Sequence, residues 1–138
     1  MNAPASETRT AWLRTAILFG LGYFLVGRLF AVPGPHGQTW RFAAWAVSFF
    51  IYTTHFRYER ARASNPPRVV ALHVATAVAI GAFGLAVAGM THSLSVQGSL
   101  KPTWLLALVL FPAVTAVPAF LVALIAAVFA SRRDGATG

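Results

Sequence analysis

Four stretches of the chain are built almost wholly of apolar residues, and short polar or basic segments separate them. The pattern predicts helices over about 11–32, 38–60, 68–91 and 102–130. Each stretch is about long enough to cross a hydrocarbon core of roughly 30 Å at a helical rise of about 1.5 Å per residue. The expected fold is therefore all-α: a single transmembrane domain over residues 1–138, built as a four-helix membrane bundle.

The four spans differ in character. The first contains Arg14 and Arg28, which are 14 residues apart. At helical rise that is roughly 21 Å, so the two can snorkel to opposite headgroup layers. A cleaved signal peptide is the rival reading, but Arg28 interrupts the apolar run and no convincing A-x-A site follows it, which favours a retained helix. Val32, Pro33, Gly34, Pro35, His36 and Gly37 form a breaker cluster. The second span is the weakest, because its uncharged centre runs only from Phe42 to Phe56. Trp40 and Tyr58 lie near its ends, where interfacial aromatics belong. Trp45, Phe49, Tyr52 and Phe56 recur at helical spacing, a face suited to packing or lipid contact, with a ligand or pigment site as the alternative.

A basic connector, Arg57 to Arg68, leads through Asn65-Pro66-Pro67 into the third span, with proline tolerated in a first helical turn. Val69 to Met90 carries no formal charge apart from His73. It is rich in small residues: Ala77 with Gly81 and Gly84 with Ala88 let another helix approach closely, and Ala16, Gly20 and Gly27 make a similar strip in the first helix. Thr91 to Lys101 reads as a polar loop, and Ser131 to Gly138 as a short polar tail. The last span is long and contains Pro112 and Pro118, which predict a kink. They free the carbonyls of Leu108 and Val114, and Thr115 between them can compensate with its hydroxyl.

Composition strengthens the membrane reading. Hydrophobic residues make up 57% and charged residues 10%. A soluble domain carries about a quarter charged residues, so this chain lacks the means to cover a water-facing surface. The net charge of +8 comes from ten Arg and one Lys against Glu7, Glu59 and Asp134. These bases sit at the edges of apolar runs, which argues for topology and against nucleic acid. With the N-terminus inside, Arg9, Arg14, Arg57, Arg60, Arg62, Arg68, Arg132 and Arg133 are cytoplasmic, and Arg28, Arg41 and Lys101 are outside. That asymmetry predicts both termini in the cytoplasm. The preference for Arg over Lys and the many alanines suggest a GC-rich bacterial genome, hence an inner membrane. The absence of cysteine excludes disulfides and thiolate chemistry.

Candidate chemistry is sparse. His55 near the inner end of the second helix and His73 near the start of the third should lie at similar depth, with Glu59 one turn beyond His55. His55, Glu59 and His73 form a possible metal set, and His55 with His73 a possible haem pair, against the plainer reading of interfacial histidines without a cofactor. Arg57, Arg60, Arg62 and Arg68 are candidates for anionic lipid headgroups or an acidic partner. No Ser-His-Asp set is available within the membrane, and there is no H-E-x-x-H or glycine-rich phosphate loop. These features predict a non-catalytic accessory or scaffold subunit, in a homo-oligomer or a larger membrane complex. The alternatives are an oligomeric transporter or channel using the kinked last helix, and a haem- or metal-binding protein.

Overall fold

Proline and glycine set several of the helix boundaries. The computed structural model describes residues 5–31, 37–62, 65–99 and 102–136 of the chain. They form α1 (Ala5–Leu29), α2 (Gly37–Arg62), α3 (Pro67–Gln97) and α4 (Pro102–Ala136). Pro66 is extended, with φ −61° and ψ 150°, and Pro67 opens α3, where its missing N–H is no loss. Gly98 ends α3 in the left-handed region at φ 68°, and its N–H donates to the Leu94 carbonyl. The breaker cluster falls at 32–36, outside the described residues, and Gly37 already belongs to α2.

Three segments are helical beyond the expected limits. Residues 5–10, ahead of the expected start at about 11, are the first turns of α1. The expected polar loop from Thr91 is instead the last part of α3 as far as Gln97. Its hydroxyls turn inward on the helix itself, Thr91 donating to the Ala88 carbonyl at 3.0 Å and Ser95 to the His92 carbonyl at 2.8 Å. Nothing in that segment breaks a helix before Gly98. Likewise, the tail after Ser131 continues α4 to Ala136, and Ser131 donates to the Ala127 carbonyl at 2.9 Å.

Helix α4 stays α-helical through both prolines. Thr115 does return its hydroxyl to the backbone, but not to the carbonyls of Leu108 or Val114. It donates to Phe111 O at 2.9 Å and Pro112 O at 3.0 Å, the carbonyls a residue at this position reaches by curling back on its own turn.

Three helices are long and apolar enough to cross a membrane, over Ala11–Leu29, Pro67–Val96 and Pro102–Arg132. Helix α2 is not among them. Arg41 and Arg57 bound its uncharged centre, and Ser48, Thr53 and Thr54 dilute it.

Helix α3 is the organising element and packs extensively on both α1 and α4. Its contacts with α1 run in step along both helices: Trp12 meets His73, Gly20 meets Ala77 and Ile80, and Gly27 meets Leu85. These two helices are therefore parallel. A Cβ on Gly81 would lie 2.6 Å from the Tyr23 Cβ and 2.9 Å from the Gly20 carbonyl. The small-residue strips of α1 and α3 thus face each other and are consumed within the chain. Helix α2 runs antiparallel along α1, from Phe30–Trp40 at one end to Phe19–Tyr58 at the other. It is parallel to α4, with Tyr52 bonded to Ala119 and Arg60 to Ala127.

The interior is made of small side chains. Ala16, Ala71, Val74, Ala77, Ala82, Ala86, Ala123 and Ala127 are buried, while Leu18, Leu29, Phe42, Val109, Val114 and Phe129 point outward. Large apolar residues outside and small ones inside is the arrangement expected where lipid is the solvent and close helix contact the driving force.

Candidate functional site

His55, Glu59 and His73 come together where α2, α3 and α1 meet. The i, i+4 spacing puts His55 and Glu59 on one face of α2, and that face meets the first turns of α3. The His73 Nδ1–H donates to Glu59 Oε2 at 2.7 Å. His55 Nε2 lies 3.7 Å from Glu59 Oε1, an ion-pair distance too long for a hydrogen bond. Both ring nitrogens of His55 are buried without a hydrogen-bond partner.

Helix α1 covers the cluster with two aromatic rings. Phe19 stacks on His55 with centroids 4.1 Å apart and planes 9° from parallel. Trp12 stacks on His73 at 4.6 Å and 2°. His55 is 0% exposed and Glu59 6%. Burying polar groups at this depth is costly, and the His73–Glu59 hydrogen bond offsets only part of it, since the His55 nitrogens have no partner. Trp12 and Phe19 were not singled out in the sequence. They share a face with Ala16, Tyr23 and Gly27 at helical spacing, a mixture of aromatic and small residues that is only a weak sign of inward orientation.

Among the described residues, no group of three or more His, Asp or Glu is arranged to hold a metal ion. The carboxyl group of Glu59 stands between the two imidazoles, and each imidazole has an aromatic ring laid flat against one face.

The other sequence candidates are spread apart. Arg57 and Arg68 are exposed, whereas Arg60 reaches across to α4 and donates from Nη1 to the Ala127 carbonyl at 3.4 Å. The Arg62 side chain lies outside the described residues. His92 is exposed on α3, and His36 falls outside the described residues. The expected aromatic face of α2 divides: Tyr52 and Phe56 pack on the core of Ala71, Val74 and Ala123, while Trp45 and Phe49 stay exposed.

Beyond Tyr52, away from the histidine cluster, all four helices line a cavity of about 630 Å³. Val26 of α1 and Gly81 and Ala82 of α3 form its buried back wall. Trp45 and Phe49 of α2 and Phe111, Pro118 and Val122 of α4 form its exposed rims, so it opens between α2 and α4. The Tyr52 hydroxyl, on its floor, donates to the Ala119 carbonyl at 2.7 Å and ties these two helices together.

No family model, curated protein or solved structure matches the chain. The functional reading therefore rests on the geometry above.

Proposed function

We propose that the chain is a non-catalytic, multi-pass protein of a bacterial inner membrane, acting as an accessory subunit of a membrane assembly. The observation that carries this reading is the closure of the His55–Glu59–His73 cluster. A reacting or ligand-exchanging group needs access, and His55 has none, with Phe19 over its ring and Glu59 at its edge. The cluster instead fastens α2, the helix least able to sit in lipid by its own composition, to α1 and α3.

Four crossings with both termini in the cytoplasm fit this reading. Parallel α1 and α3 need a return crossing between them, and α2 lies along α1 in the right direction to supply it. A transporter draws support from Pro118 and Thr115 in the cavity wall, but no Asp or Glu lines that wall, and a proton- or cation-coupled carrier usually needs one.

The accessory role is tested by light scattering and native mass spectrometry on protein released in a mild detergent. A complex of defined composition, larger than the single chain, is expected. A monodisperse monomer that carries no other polypeptide overturns the reading.

A further inference from the structure

We propose that the cavity between the four helices holds an acyl chain of an anionic phospholipid whose phosphate sits at Arg41. The cavity volume, about 630 Å³, is within the range of about 300–1,000 Å³ typical of small-molecule sites. Its walls suit hydrocarbon. The Tyr52 and Thr115 hydroxyls are engaged with backbone carbonyls of α4, and the Tyr23 hydroxyl is buried in the wall rather than presented at its surface. Ser48 adds one small polar group, and apart from Thr115 the rest of the lining is aromatic rings, alanines, glycines, branched aliphatics and Pro118.

The mouth faces the right solvent. It lies between the exposed residues Trp45 and Phe49 on one side and Phe111 and Val122 on the other. α4 is long and apolar enough to cross a membrane, so this gap opens sideways into the surroundings of its span. An open apolar cavity there is filled by whatever chain enters it, since bare walls forfeit dispersion contacts.

The charge is in the right place. Arg41 is exposed and lies one turn from Trp45 on the cavity-lining face of α2. The contact of Phe30 with Trp40, at 5.7 Å between centroids, sets the end of α1 beside the start of α2, so Arg28 is at the same end of the molecule. From Arg41 to Tyr52, on the cavity floor, α2 rises about 16 Å at roughly 1.5 Å per residue. Half of a hydrocarbon core is about 15 Å, so a chain descending from a phosphate at Arg41 ends near Tyr52.

The test is native mass spectrometry of the full chain offered phosphatidylglycerol and phosphatidylcholine in equal amounts. One phosphatidylglycerol per chain is expected to survive delipidation. Ala119→Phe and Ala44→Phe, which fill the cavity from α4 and from α2, should each abolish retention while leaving the helical circular dichroism unchanged. Arg41→Gln should keep chain binding but lower the preference for the anionic lipid by about fivefold. Wild-type protein that retains no phospholipid overturns the proposal whatever the variants do. So does retention that both cavity-filling variants leave intact, a neutral lipid-soluble compound in place of the phospholipid, or a second copy of the chain cross-linked through Trp45.

Discussion

Glu59 offers two oxygens to two imidazoles, and only the contact with His73 is a hydrogen bond. The two histidines should therefore respond differently to substitution. Glu59→Ala leaves the part-buried His73 N–H without its acceptor and is expected to destabilise the fold by about 1–3 kcal/mol. His55→Phe removes two buried nitrogens that have no partner and keeps a ring against Phe19. Replacing unsatisfied polar atoms with an apolar group of similar shape is close to neutral, so this variant should fall within about 1 kcal/mol of wild type. Unfolding of the two variants in detergent, followed by circular dichroism, measures both. A large loss in His55→Phe would show that its nitrogens hold something the fold depends on. The meeting of His55, Glu59 and His73 was legible in the sequence, because i, i+4 spacing and two adjoining helix ends place them at one depth. The rings of Trp12 and Phe19 over them were not. Which face α1 turns inward depends on how it rotates against two other helices, and an evenly apolar helix carries little sign of that.

At the scale of elements, the contact between α1 and α3 is the closest in the molecule that the small residues explain. Even one methyl group on Gly81 would press on the Cβ of Tyr23, which is part of the chain's stem and has little room to give, and on the Gly20 carbonyl. Gly81→Ala should therefore force the two helices apart and cost about 1–3 kcal/mol, the usual penalty for overpacking. Gly98→Ala should act differently. Its Cβ meets nothing within 4 Å, but φ is 68°, so the strain is in the backbone of one turn and stays local. Unfolding measurements that rank Gly98→Ala as the more damaging would reverse this account. The four apolar runs predicted the four helices, since an unbroken run of this length leaves the backbone few other ways to satisfy its hydrogen bonds in lipid. The ends were less legible. Thr91 and Ser95 read as loop because they are polar, yet their hydroxyls bond back to their own helix and hide that polarity. The small strips predicted a close partner but not which one, because the same pattern serves a neighbour in the chain and a second copy equally well.

For the whole molecule, hydropathy and packing point to different numbers of crossings. Hydropathy selects α1, α3 and α4. If only these crossed, with the N-terminus outside, Arg28, Arg41, Arg57, Arg60, Arg62, Arg68, Arg132 and Arg133 would all be cytoplasmic. Arg9, Arg14 and Lys101 would be external. That is the same eight-to-three division as four crossings with the N-terminus inside, so the positive-inside rule does not choose between them. The direction of α1 supports the proposed four crossings. Three crossings would make α1 and α3 antiparallel, whereas Trp12 stacks on His73 at one end and Gly27 faces Leu85 at the other. The proposed four-crossing arrangement is thus distinguished by the side of the N-terminus alone. The chain contains no cysteine, so single cysteines report cleanly. A membrane-impermeant maleimide applied to intact cells with a permeable outer layer should label Ser95→Cys and spare Ser131→Cys under either arrangement. Ser6→Cys decides: it should be spared in intact cells and labelled once they are lysed. Labelling of Ser6→Cys in intact cells would mean that α2 does not cross, and the parallel packing of α1 on α3 would then have to be abandoned with it.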